Sequence, residues 1–162
     1  MTRIVAISDT HAKNLDALPK ALLAEISDAD IVVHCGDYTS IALLKELRDL
    51  ARRFIGVYGN VDTIDNRQEV PKKTVFDIDG KKIGVIHPHW GGAPFGIEEA
   101  ITKEFHNVDI ILFGHTHDAW TDTINGVTFL NSGQAYSAFM EKATAGIITI
   151  GSKGFEIDIR SF

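Results

Sequence analysis

Ile4-Val5-Ala6-Ile7-Ser8-Asp9-Thr10-His11 is the stretch on which the fold turns. Four apolar residues give way at once to four polar ones. A short apolar run with polar ends reads as a parallel strand buried on both faces. Residues just past the carboxyl end of such a strand lie where open α/β sheets bind ligands. The construction recurs along the chain. Ile31-Val32-Val33 stops at His34-Cys35-Gly36-Asp37, residues 54–57 stop at Tyr58-Gly59-Asn60, and residues 110–113 stop at Gly114-His115-Thr116-His117.

Helical spacing fills the gaps. Leu15, Leu18, Leu22, Leu23 and Ile26 mark one amphipathic helix, and Ile41, Leu44, Leu47 and Leu50 mark another, capped by Thr39 or Ser40. A further helix is expected over 97–105. The second half adds hairpins: Asp79-Gly80 separates 75–78 from 83–86, and Asn125-Gly126 separates 120–124 from 127–130. A last hairpin is expected to join 145–150 to 155–159. Together these elements predict a mixed, layered α/β architecture in one domain over 1–162.

Composition agrees and excludes some roles. The 162 residues are 44% hydrophobic and 23% charged, within the ordinary range for a compact domain. A formal net charge of -6, with no dense run of Lys or Arg, disfavours wrapping of long nucleic acid. Cys35 is the one cysteine, so no intrachain disulfide forms. The first residues lack the apolar length of a signal peptide and no run reaches membrane-spanning length. A cytoplasmic, membrane-free protein, monomeric or homodimeric, is therefore expected.

Asp9, His11, Asp37, Asn60, His87, His115 and His117 all fall just beyond strand ends. Four imidazoles, two carboxylates and an amide form a mixed nitrogen and oxygen donor set without thiolate, suited to Mn, Fe, Co, Ni or Zn. Asp37 has two carboxylate oxygens and can bridge two ions, which dinuclear hydrolytic sites hold about 3.5–4 Å apart. Any one of these residues alone has a plain reading, Asp9 as a helix cap or Asp37 as a turn residue. Agreement over five segments does not.

The ordered set Asp9-x-His11, Gly36-Asp37, Gly59-Asn60, His87 and Gly114-His115-Thr116-His117 resembles the calcineurin-like metallophosphoesterase superfamily over most of the chain. Short length and Gly59-Asn60-Val61-Asp62 make it most similar to the small prokaryotic phosphodiesterase branch, which is related to the retromer scaffold subunit of eukaryotes. The resemblance implies a layered, mixed β-sheet sandwich flanked by helices. It implies two divalent transition-metal ions, manganese first, with Ni, Fe, Co or Zn as alternatives. One ion would take Asp9, His11, Asp37 and His117, and the other Asp37, Asn60, His87 and His115. The implied reaction is hydrolysis of a small phosphoester by a metal-bridging hydroxide, with Asn60 helping to stabilise phosphoryl charge and Asp62 and Asn131 orienting the ligands.

Two departures from the family pattern bear on chemistry. Val61 stands where many relatives carry a histidine that protonates the leaving oxygen, which favours phosphodiesters and low-pKa leaving groups. Pro88 follows His87 where glycine is usual, restricting the His87 backbone. His89 keeps the second histidine of that motif and is the candidate for contacting phosphate or assisting the leaving group.

Other residues read as structural. His34 is expected to be buried and hydrogen-bonded, Cys35 a small buried apolar residue, and His106 a surface or capping residue. Trp90, Phe95 and Trp120 fit either packing or the substrate mouth. The competing function is a non-catalytic binding scaffold on the same fold. The intact donor set favours the enzyme. An amidohydrolase barrel also uses His-x-His but needs ~250 residues.

Overall fold

Strands covered on both faces need apolar residues on both faces, and this is how the buried runs are used. The computed structural model describes residues 1–88, 90, 96–138 and 140–162. In the first sheet, β1 (Thr2–Ile7) pairs in parallel with β2 (Ile31–His34), and β2 with β3 (Phe54–Gly56). In the second, β4 (Lys73–Ile78) pairs antiparallel with β5 (Lys81–Ile86), and β5 in parallel with β6 (Ile110–Phe113). There β7 (Trp120–Ile124) closes the edge by pairing with β8 (Val127–Asn131), which runs parallel to β6. Back in the first sheet, β9 (Thr144–Gly151) lies antiparallel to β1 and carries β10 (Gly154–Ser161) at its outer edge. The two orders are β10-β9-β1-β2-β3 and β4-β5-β6-β8-β7.

Alternation sorts the side chains into three cores. Ile4 and Ala6, Ile31 and Val33, and Ile148 meet Ile83, Val85, Ile110, Leu112 and Leu130 between the sheets. Their neighbours Val5, Ile7, Val32 and Ile147 face outward onto helices α1 (Lys20–Asp28) and α2 (Ile41–Leu50) through Leu22, Ile26, Leu43, Leu44 and Leu47. On the other outer face Ile111, Phe113 and Phe129 pack with Ile97 and Ile101 of helix α4 (Ile97–Thr102). The result is a sandwich of two mixed sheets flanked by helices.

Three local details differ from the sequence pattern. Leu15 and Leu18 do not share a helix with Leu22: Leu15–Ala17 is a 3-10 turn and α1 begins after Pro19. Proline is compatible with a helix start but not with its interior, so it divides the apolar stripe. The helix after 96 ends at Thr102, short of Phe105, which still buries against it. A short helix α3 (Ile64–Glu69), capped by Thr63 accepting from the Asn66 N–H, was not signalled by apolar periodicity because it buries only Asn66. Ser40 caps α2 by accepting from the Ala42 N–H.

The hairpin turns gather at one end. Asp79-Gly80 and Asn125-Gly126 have positive φ at both central residues (49 and 75°, 52 and 84°), the two-residue turn that matches strand twist. β5 and β8 start from these turns and run to the opposite end, where β1, β2, β3 and β6 also finish. No helix among the described residues is long and apolar enough to cross a membrane.

His34, at the end of β2, is fully buried and stacks on Tyr38 with ring centroids 3.8 Å apart. Its Nδ1 accepts from the Gly36 N–H at 3.1 Å and its Nε2 lies 3.1 Å from Thr10 Oγ1. Burial lowers its pKa from 6.5 to about 3. The unfolded chain therefore takes up a proton at His34 below pH 6.5 that the folded chain refuses until about pH 3. Stability falls as the pH is lowered from 6.5 to about 3, by up to about 1.4 kcal/mol per pH unit. Urea unfolding at stepped pH should show this slope in the wild type and a shallower one in His34→Gln, and parallel slopes would refute the assignment.

Candidate metal centre

Strand register brings the polar loops level. Ile7 pairs with His34 and His34 with Gly56 in one sheet, while Ile86 pairs with Phe113 and Phe113 with Asn131 in the other. The loops leaving β1, β2 and β3 carry Asp9, His11, Asp37 and Asn60, and those leaving β5 and β6 carry His87, His115 and His117. All seven side chains meet at this shared rim. Asp9 and His87 are fully buried and Asp37 is 3% exposed, whereas His11, His115 and His117 are half-buried and Asn60 is exposed. The site thus has a closed floor and an open mouth.

The backbone is bent to achieve this. Asp9, His11, Asp37, His115 and His117 have φ of 50, 43, 62, 86 and 61°, in the left-handed region that non-glycine residues seldom occupy. Such conformations cost on the order of 1–3 kcal/mol each and persist where surrounding structure enforces them. Two glycines make room. A Cβ at Gly59 would collide with the Asp37 carboxylate, and one at Gly114 with Ser8 and Asp9.

Nitrogen and oxygen atoms able to bind a metal crowd against one another. His87 Nδ1 is 2.7 Å from the Cys35 carbonyl, which can only accept, so that nitrogen carries the hydrogen. Its Nε2 then points at Asn60 Oδ1 (3.0 Å) and Asp37 Oδ2 (3.3 Å). His115 Nδ1 is also 3.0 Å from Asn60 Oδ1. On the other side, Asp9 Oδ1 faces His117 Nε2 at 3.3 Å and His11 Nε2 at 3.9 Å, and His11 Nε2 is 4.0 Å from Asp37 Oδ2. Asp9 Oδ1 and His11 Nε2 are buried without a hydrogen-bond partner. Ligand atoms of Asp9, His11 and His117 lie within 4.8 Å of one another, as do those of Asp9, Asp37 and His87. Converging lone pairs and carboxylates with orphaned buried atoms fit a cation, and the donor chemistry suits a divalent transition metal.

The field at the site points the same way. Burial raises the carboxyl pKa values of Asp9 and Asp37, yet both end lowered, Asp9 by His117, His87, Ser8 and the His115 N–H, and Asp37 by His87 and the Val61 N–H. His87 ends raised although burial opposes it, because Asp37 and Asp9 favour its charge. His117 is raised by Asp9, and His115 is lowered by burial and by His87.

A second ring of residues holds the donors. Asp62 accepts from the N–H groups of Asp37 (2.9 Å), Gly59 (2.7 Å) and Thr39 (2.9 Å), tying two ligand loops together. Asn131 donates to Thr116 Oγ1 at 2.7 Å and so supports the turn between His115 and His117. Sequence reasoning did not find Ser8, which donates to Asp9 Oδ2, or Arg67, which donates to the Asn60 and Asp62 carbonyls. It also missed Gln134, 3.3 Å from His117 Nδ1, and Tyr136, edge-on to His11 and His117. Gln134 follows the end of β8, so the rule applied to the other parallel strands contained the signal. His89 and Phe95 lie outside the described residues. Trp120 packs on Phe113, Trp90 is 40% exposed near Lys72, His106 is exposed, and burial pushes the Cys35 thiol pKa up.

The comparisons agree with this geometry. A protein of Methanocaldococcus jannaschii named as a probable metallophosphoesterase is 36% identical over 136 residues, 80% of this chain and 66% of its own length. A phosphodiesterase of the same organism is 26% identical over 94% of this chain and 96% of its own. A Thermotoga maritima protein solved by NMR superposes with a TM-score of 0.78 at 27% identity, covering all of both chains. Vps29 of Entamoeba histolytica superposes at 0.71 with 26% identity, covering 99% of each. The family model of the calcineurin-like phosphoesterase superfamily domain matches residues 2–153. With its donors gathered at one rim of a two-sheet sandwich, the chain belongs to the calcineurin-like phosphoesterase superfamily.

Proposed function

We propose that this chain is a dinuclear-metal phosphodiesterase. The observation that carries the reading is the gathering of seven metal-competent side chains at one rim, with ligand atoms of Asp9, His11 and His117 and of Asp9, Asp37 and His87 each within 4.8 Å of one another. One ion would be held by Asp9, His11, Asp37 and His117 and the other by Asp37, Asn60, His87 and His115, with Asp37 common to both sets. Manganese is the proposed metal, and the mixed donor set accepts Ni, Fe, Co or Zn. Such a pair, when bound, supplies activation of water at neutral pH and neutralisation of phosphoryl charge.

The chain's own groups do the remaining work. The ring of second contacts fixes the donors before substrate arrives, which removes reorganisation from the reaction step. Asn60, exposed at the mouth, is placed to meet a phosphoryl oxygen through its amide. Val61, 47% exposed beside it, has no proton to give a departing oxygen, and Ile64, 69% exposed, extends the apolar surface. Leaving groups that depart as stable anions need no such proton. A small phosphodiester with an activated or apolar leaving group is therefore the proposed substrate class, and the phosphodiesterase relative supports it. A cytoplasmic setting belongs to the same reading.

Metal analysis after gentle purification, with Mn2+-dependent turnover of bis(p-nitrophenyl) phosphate, tests the proposal. Two ions per chain and turnover are expected; no bindable transition metal and no turnover would move the chain to the scaffold reading. His87→Ala should lower metal stoichiometry, whereas His89→Ala should keep both ions and lose roughly 10²–10⁴-fold in kcat on an alkyl ester, whose leaving oxygen needs a proton, and less on the aryl diester. The reverse pattern exchanges those two roles. Val61→His should raise turnover of alkyl phosphomonoesters relative to the aryl diester, and an unchanged ratio would remove Val61 as the determinant of ester class.

A further inference from the structure

Gln134 is 4% exposed, and each end of its amide is committed. Nε2 donates to the Tyr136 carbonyl at 3.1 Å, which turns Oε1 toward His117 Nδ1 at 3.3 Å. The backbone beneath is held as well, because the Thr144 N–H donates to the Gln134 carbonyl at 2.8 Å. An amide oxygen only accepts, so His117 Nδ1 must be the donor. A neutral imidazole has one N–H, and its lone pair then lies on Nε2. That nitrogen is 3.3 Å from Asp9 Oδ1, itself buried without a hydrogen-bond partner. The ring's tilt is limited by His11, with centroids 5.2 Å away, and by Tyr136, edge-on at 6.3 Å.

We infer that Gln134 is a positioning residue: it fixes the His117 proton on Nδ1 and aims Nε2 at the cation position shared with Asp9 and His11. This rests on the metal-site reading above. A neutral acceptor performs the task without adding a third negative charge beside Asp9 and Asp37. Its length suits its origin, since it must reach His117 from the loop after β8 in the neighbouring strand position. The inference separates two kinds of acceptor. A carboxylate at 134 would hold the same proton and make Nε2 more basic, whereas an apolar side chain of similar size would leave the ring free to flip.

The test uses the full chain, stripped with chelator and titrated calorimetrically with Mn2+ and with Zn2+, beside nitrogen-15 histidine spectra of the Zn2+-loaded protein. Wild type and Gln134→Glu are expected to show His117 protonated at Nδ1 and metal-bound at Nε2, with Gln134→Glu binding at least as tightly. Gln134→Leu is expected to lose about 10–100-fold in affinity at one of the two binding steps. A role in packing alone would make the two variants alike. Unchanged affinity and unchanged His117 signals in a folded Gln134→Leu overturn the inference while leaving the metal site standing. A wild type that binds neither ion overturns both.

Discussion

Two carboxylates, Asp9 and Asp37, are buried in one group of ligand atoms no more than 4.8 Å across, and the rest of the structure answers to that fact. A carboxylate withdrawn from water is tolerable only beside compensating charge or donors. The protein provides both kinds. Ser8, the His115 N–H and the Val61 N–H each give a hydrogen bond to one oxygen, and the imidazoles of His11, His87 and His117 lie against the others. Each carboxylate keeps one oxygen turned inward. Against the burial that raises them, the carboxyl pKa values fall because these hydrogen bonds and the neighbouring histidines, His117 and His87 at Asp9 and His87 at Asp37, favour the ionised forms.

Reaching this arrangement requires both sheets. Asp9, His11, Asp37 and Asn60 come from the first and His87, His115 and His117 from the second, so the inter-sheet core of Ile4, Val33, Val85 and Leu112 sets the span across which the donors meet. Side-chain choice alone does not produce the geometry. Asp9, His11, Asp37, His115 and His117 leave their strands through left-handed turns, and Gly59 and Gly114 let the loops close to contact distance. Asp62 then binds three N–H groups at once and so ties the loops after β2 and β3 together.

Much of this was legible in the sequence because buried parallel strands announce themselves. Their apolar runs have no helical period, and a polar residue that ends such a run marks the rim. Asp9, Asp37 and His115 could be placed by that argument, and the hairpins by Asp79-Gly80 and Asn125-Gly126. What stayed hidden has physical reasons. Pro19 divided an apolar stripe whose spacing remained helical across the break, and α3 has too little apolar surface to show a period. Ser8 acts through a hydrogen bond to its neighbour Asp9 and Arg67 through bonds to main-chain carbonyls, and such contacts leave no periodic mark. His87 was restricted by Pro88 in prospect, yet its ring is oriented from the far side, by the Cys35 carbonyl.

The tight turns at the end away from the metal centre have a practical consequence. At Asp79-Gly80 and Asn125-Gly126 a Cβ added to the glycine meets nothing within 4 Å, and no donor residue follows within the same loop. The molecule therefore offers a handle and a working edge at opposite poles. A dye, a surface tether or an inserted peptide carried on those turns would leave the ligand loops facing free solution, so the protein can be anchored with its open mouth outward.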